Sequence, residues 1–358
     1  MNFEEARARF PVLERLAYLN AGSMGPLATP TVEAMAARER SDLERGRGGK
    51  PYIEEMLAMR EDARAALAGV VHVEPAKVAL TASTTEGCNI VVAGLDLGPD
   101  DEVVTTDSEH FGLLGPLHAS GARVRVARIR DRPPEGALEL LLAEVSERTR
   151  LIALSHVSWL TGNLLPIEEL QEQTGLPTLV DGAQSAGAIP VEAARYDYFT
   201  ISGQKWLTGP DSTGALYVRD PEALRVALPT YFSQLGHDEA GTFTPRDGAA
   251  RFDGGWIPSA SLAGLTAAIG LVPNWAFHHG AEISARCFAM LAERFEVVTA
   301  PGQANLVSFS PGDDPAGVAA RLYEAGVVVR DMPNTPWVRV SCGWWTSDGD
   351  LERLLAAL

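Results

Sequence analysis

Apolar residues gather along this chain in short unbroken runs, separated by polar segments with helical spacing. The stretch 77–83, "KVALTAS", reads as a strand leading into a helix from Thr84. Runs at 101–107, 122–129, 150–158, 177–184, 197–203 and 214–220 read as further strands, and "PIEELQEQTG" (166–175) as a helix between two of them. Strands covered by helices on both faces show continuous apolar runs rather than alternation. The pattern therefore predicts an α/β domain with a mainly parallel sheet.

The rhythm changes further on. One helical stretch is predicted from Ser259 to Phe295. Strands at "FEVVTA", "NLVSFS", "VVVRD" and "WVRVSC" follow, with a helix through "GVAARLYEAG" and a last helix from about Ser347. This reads as a small α+β unit. The predicted organisation is an N-terminal segment (1–20) packing with the small domain, a large domain (21–270) and a small C-terminal domain (271–358). A chain of 358 residues accords with about two to three domains.

Composition narrows the function. The net charge is 30 − 47 = −17, which argues against a nucleic-acid footprint and against docking on anionic membranes. Cys88, Cys287 and Cys342 are far apart and odd in number, so neither a disulfide framework nor a Cys-x-x-Cys metal site is implied. A cytoplasmic setting fits. The start, "MNFEEARARF", has no apolar signal core, and no apolar run is long enough to span a bilayer. Adjacent His278 and His279 on a helix face different directions, so no metal site is expected there. "ERGRGGKPY" (44–52) lacks the spacing of a phosphate loop.

The candidate chemistry sits where predicted strands end, which is where open α/β sheets bind ligands. Ser83 and Glu86 form a capping box at a helix start, leaving the amides of Thr84 and Thr85 as an anion site. Asp181 closes a strand and is followed by Gly182 and Ala183, small enough to let a ligand approach, and by the amide of Gln184. Lys205 lies between Ser202-Gly203-Gln204 and Trp206 in a region that reads as buried. A desolvated lysine becomes a nucleophile of the kind Schiff-base chemistry needs. An anion cradle, a carboxylate for a pyridine nitrogen and an amine for an aldehyde together make a pyridoxal 5'-phosphate site.

At these residues the sequence resembles the class V aminotransferases, a branch of the fold-type-I pyridoxal-phosphate enzymes, over nearly its whole length. The resemblance implies a large domain with a mainly parallel seven-stranded sheet, a small α+β domain and a homodimer with sites near the interface. "YLNAGSMGPL" (18–27) is similar to the family's N-terminal active-site strand, which places Asn20 among the substrate contacts. "STTEGCNIV" (83–91) resembles its phosphate-binding turn. "SEHFGLLGPL" (108–117) implies that His110 stacks on the cofactor ring. "DGAQSAG" implies that Asp181 meets the ring nitrogen and Gln184 the phenolic oxygen. "SGQKW" makes Lys205 the Schiff-base lysine, with Ser202 and Gln204 at the cofactor. "WVRVSCGWW" implies that Arg339 clamps the carboxylate of a small amino-acid substrate. Arg47 and Tyr52 fall where the family approaches the neighbouring active site.

Three departures bear on the subtype. Gln204 stands where the family often has His. Trp159 stands where many relatives have an Asn that meets the phenolic oxygen. Gly255-Trp256 stands where many have Gly-Thr, whose threonine reaches the partner's phosphate. Cysteine desulfurases carry a thiol on the loop before the arginine, whereas 330–338 contains no Cys. Cys342 reads as a small buried residue, Trp344 and Trp345 as packing, and His156 as a hydrogen-bonded core residue. "SHVSWLTG" is similar to the family's cysteine/cystine C–S lyases. Transamination and epimerisation are the alternatives, with a non-catalytic cofactor-binding scaffold ranked last.

Overall fold

The computed structural model describes residues 1–312 and 314–358. Seven strands form the main sheet. They are β1 (Val78–Thr81), β2 (Glu102–Thr106), β3 (Arg123–Ala127), β4 (Thr149–Ser155), β5 (Thr178–Asp181), β6 (Tyr198–Ser202) and β7 (Gly214–Val218). Their order across the sheet is β1-β7-β6-β5-β4-β2-β3. β7 runs antiparallel to both neighbours, and every other adjacent pair is parallel.

The unbroken apolar runs have the expected cause. Ile152, Leu154 and Val180 enter one core, and Leu151, Ala153 and Leu179 enter another on the opposite face. Both faces of β4 and β5 are covered here, so Leu151–Leu154 and Leu179–Val180 run without polar interruption.

A second sheet has the order Glu296–Val297, Leu306–Ser310, Val338–Ser341, Arg330–Asp331, all antiparallel. The N-terminal segment is stitched to this unit. Ala17–Tyr18 pairs in parallel with Val327–Val328, and Asn20 bridges Ser341. Arg7 grips Asp350 through both carboxylate oxygens, at 2.7 and 3.0 Å.

The single helix expected from Ser259 to Phe295 is two helices. Ser259–Leu271 and Ala276–Ala292 meet at 77°. Pro273 lies in the break; it has no N–H for the helical ladder and disfavours helical backbone at the residue before it. No single helix among the described residues is long and apolar enough to cross a membrane.

Candidate active site

A cavity of about 180 Å³ opens at the carboxyl ends of the parallel strands. One end is formed by the helix Thr84–Gly94, with Ser83, Thr84 and Thr85 lining the wall. Ser83 caps this helix by accepting from the Glu86 amide at 3.1 Å. The expected capping box is displaced: the Glu86 carboxylate accepts from the Ala82 amide instead of that of Ser83. Ser202 and Gln204 line the same cavity, and the Ser202 hydroxyl donates to Gln204 Oε1 at 2.8 Å. That bond leaves the Gln204 amide protons as donors. Helix-terminal amides, hydroxyls and an amide suit a phosphate.

Asp181 ends β5 and is 4% exposed. Its Oδ1 accepts from the Ala183 amide at 2.9 Å and from the Thr200 hydroxyl at 3.4 Å, which leaves Oδ2 for a ligand. Lys205 lines the cavity, and desolvation lowers its amine to about 8. Asp181 opposes that shift, while Arg339 and Arg330 reinforce it. Gln184 is held at both ends, donating to Gly22 O at 2.9 Å and accepting from Trp206 Nε1 at 3.0 Å. Its second amide proton remains for the cavity.

The glycines beside these residues serve packing. A Cβ on Gly182 would lie 2.2 Å from the Phe199 ring, and one on Gly203 would lie 2.1 Å from Thr213 Oγ1. Room for a ligand is therefore not why they are glycine.

His110 lines the cavity and accepts from the Gly112 amide through Nδ1 at 3.0 Å. Burial and the positive charge of Lys205 lower its pKa, so the neutral ring carries its proton on Nε2. Its ring meets Trp159 edge-on at 4.9 Å. The sequence reading missed Glu109, buried beside His110, which accepts from Thr106 and from both the amide and the hydroxyl of Ser155. Ser155 itself lines the cavity.

The cation on the wall is Arg330, which sequence reasoning also missed; an arginine inside the apolar run "VVVRD" was the available signal. Arg339 is wholly buried, donating to Trp159 O at 2.8 Å and to Ser23 Oγ at 3.2 Å. Desolvation lowers it to about 9. Asn20 is not among the lining residues, and its Oδ1 is buried without a partner.

Trp256 does not line this cavity within the one subunit described. It is 59% exposed, away from the cavity, with its ring 5.2 Å from Phe232. The cause is the tether of Gly254, whose amide bonds Leu80 O at the edge strand β1. Tyr52 is buried under the Arg38 guanidinium, and Arg47 is exposed. His156 bonds the Tyr196 hydroxyl, and burial lowers it to about 4. Trp344 and Trp345 pack with Phe10.

The residues present fit pyridoxal phosphate. The hydroxyl-rich helix start would hold its phosphate, Asp181 Oδ2 its pyridine nitrogen and Lys205 its aldehyde. The comparisons with known proteins agree. The family model "Aminotransferase class-V" matches residues 26–331. An isopenicillin N epimerase of Streptomyces clavuligerus is 27% identical, covering 100% of this chain and 98% of its own. A probable cysteine desulfurase of Pseudomonas aeruginosa is 33% identical, covering 83% and 81%. The solved cystine C–S lyase C-DES, in complex with its reaction product cysteine persulfide, is 29% identical with a TM-score of 0.89, covering 97% and 98%. A mutant of that protein carries glycine covalently linked to the cofactor. The chain belongs to the class V aminotransferase family, and with it to the pyridoxal-phosphate enzymes.

Proposed function

We propose that this enzyme is a C–S lyase that removes the β-sulfur group of a cysteine- or cystine-like amino acid by α,β-elimination. The observation that carries the reading is a cavity built around Lys205 and Arg330 with no cysteine in its lining. Cys88, Cys287 and Cys342 are all buried. Burial holds the Cys88 thiol well above its usual range; a hydrogen bond with Cys287, then burial, does the same for Cys342. A desulfurase that forms a persulfide on its own cysteine needs an accessible thiolate. The likeness to a solved cystine lyase points the same way.

Each residue has a task. Arg330 holds the substrate carboxylate, and Arg339, buried behind it, adds its positive charge. Lys205, whose amine is lowered to about 8, takes the α-proton as the C–H bond breaks. Bound pyridoxal phosphate supplies the electron sink for the carbanion. Asp181 keeps the pyridine nitrogen protonated, and His110 covers the ring. The Cβ–S bond then breaks with its electron pair on sulfur, and the released enamine hydrolyses to a keto acid and ammonia. Ser83, Thr84, Thr85, Ser202 and Gln204 hold the phosphate, and Gln184 the phenolic oxygen.

The same reading includes a cytoplasmic homodimer. Phe111, directly after His110, is 78% exposed. A partner subunit gives that ring, Arg47 and Trp256 something to meet; sedimentation at micromolar concentration tests it.

The test of function is an absorbance spectrum with L-cysteine or L-cystine and no keto-acid acceptor, with keto acid assayed alongside. Elimination keeps the cofactor band while keto acid accumulates over many turnovers. Conversion stopping at one equivalent means transamination, and loss of optical activity without keto acid means epimerisation; either outcome sinks the lyase reading.

A further inference from the structure

Arg330 and Arg339 are register partners on adjacent antiparallel strands. Arg330 faces the cavity and Arg339 lies behind it. Among the described residues, neither forms an ion pair with a carboxylate. Both donate to one atom, Ser23 Oγ: Arg330 Nη1 at 3.1 Å and Arg339 Nη2 at 3.2 Å. A hydroxyl oxygen has two lone pairs and one proton. Accepting from both arginines uses both lone pairs, so the O–H is the only donor Ser23 has left, on a residue that lines the cavity.

The loop carrying Ser23 is set by the catalytic residues themselves. Gln184 donates to Gly22 O, and the Gly25 amide donates to Gln204 O at 2.8 Å. Gly22 and Gly25 permit this approach: a Cβ would lie 2.8 Å from Arg339 Nη2 in the first case and 2.1 Å from Lys205 O in the second. Ser23 therefore sits at a fixed place between two like charges. Without its oxygen, the guanidiniums keep their repulsion and lose their shared acceptor.

We propose that Ser23 is a specificity-determining positioning residue, whose hydroxyl joins Arg330 and Arg339 into one receptor for the carboxylate of the amino-acid substrate. The proposal rests on the reading of Arg330, backed by Arg339, as the carboxylate binder, but not on which bond later breaks. Its effect belongs to binding, because the carboxylate is unchanged in the reaction.

The test compares glycine with glycinamide, which lacks the carboxylate. Each is titrated into the holoenzyme while the cofactor absorbance is followed. Ser23→Ala raises the half-saturating concentration of glycine by about tenfold or more, the range for a lost hydrogen bond to a charged group. It leaves glycinamide within about twofold. Ser23→Gly, which removes the same oxygen, gives the same result, and Ser23→Thr, which keeps it, stays near wild type. With L-cystine the rise falls on KM while kcat holds. Equal weakening of glycine and glycinamide, an unchanged glycine titration, failure of Thr to preserve binding, or a wild-type enzyme that does not respond to glycine overturns the proposal. A wild type that makes no keto acid from L-cystine, yet shows the Ser23 effect on glycine, sinks the lyase reading alone.

Discussion

Glu109 and Ser155 are bonded twice: the Glu109 carboxylate accepts from both the amide and the hydroxyl of Ser155. Ser155 is in turn the register partner of Asp181 on the next strand. A carboxylate thus lies buried under the cavity floor, next to that of Asp181. Burial raises Glu109 to about 7, against hydrogen bonds from Ser155 and Thr106, with Asp181 adding to the rise. Cys88, packed from the helix Thr84–Gly94, also feels both carboxylates.

The folded chain keeps a proton on Glu109 over a range where the unfolded chain has released it. Stability from this group is complete below the unfolded carboxylate pKa of ~4.3 and is lost as pH rises through about 7. Glu109→Gln should flatten that decline, by on the order of 3–4 kcal/mol between the two ends. Urea unfolding at both ends of the window checks it; a variant with the wild-type slope shows that Glu109 stays ionised in the fold.

Lys205 titrates in the opposite sense. Its folded pKa of about 8 lies below the ordinary 10.5, so the unfolded chain binds more protons between these values. In the cofactor-free protein, reductive methylation followed by mass spectrometry should label Lys205 with a midpoint near pH 8, ahead of the exposed lysines. Lys205→Ala should cost keto-acid formation ~10³-fold or more. A variant that keeps turnover removes Lys205 from the chemistry.

Much of this was legible because each strand end carries its functional residue in the same short run. Ser83, His110, Asp181 and Lys205 each follow a recognisable strand within a few positions. Ser23 and Glu109 were not legible, and the reason is distance. Ser23 and Arg330 are 307 residues apart in sequence and meet only after the N-terminal loop folds onto the second sheet. Glu109 matters through Ser155, 46 residues away. No local pattern encodes such partners. Pro273 did carry a local signal, the break between two helices, and helical spacing on both sides masked it.

The three cysteines should be dispensable for turnover. Cys342→Ala removes a thiol that is 0% exposed. Packing loss of about 1 kcal/mol is expected in unfolding experiments. The kcat with L-cystine should stay within about twofold, as for a residue that stabilises no transition state. A collapse of kcat with unchanged stability would instead make Cys342 a sulfur nucleophile and the enzyme a desulfurase.

The segment before Trp256 depends on one carboxylate. Asp253 is 0% exposed and takes Arg64 at 2.8 Å through each oxygen, Arg60 at 2.9 Å and the Leu80 amide at 2.9 Å. Arg60 also lies over the Phe232 ring at 4.3 Å, and Phe232 packs on Trp256. Asp253→Asn leaves two buried guanidiniums facing a neutral amide, and removing one partner of a buried pair costs about 3–5 kcal/mol. Replacing the whole cluster, as in R60M/R64M/D253L, removes the charges together with their counter-ion and should cost less than Asp253→Asn alone. Urea unfolding of both variants distinguishes the cases. If the triple variant is the weaker one, the cluster contributes net attraction beyond its desolvation cost, and the edge of β1 owes its stability to charge.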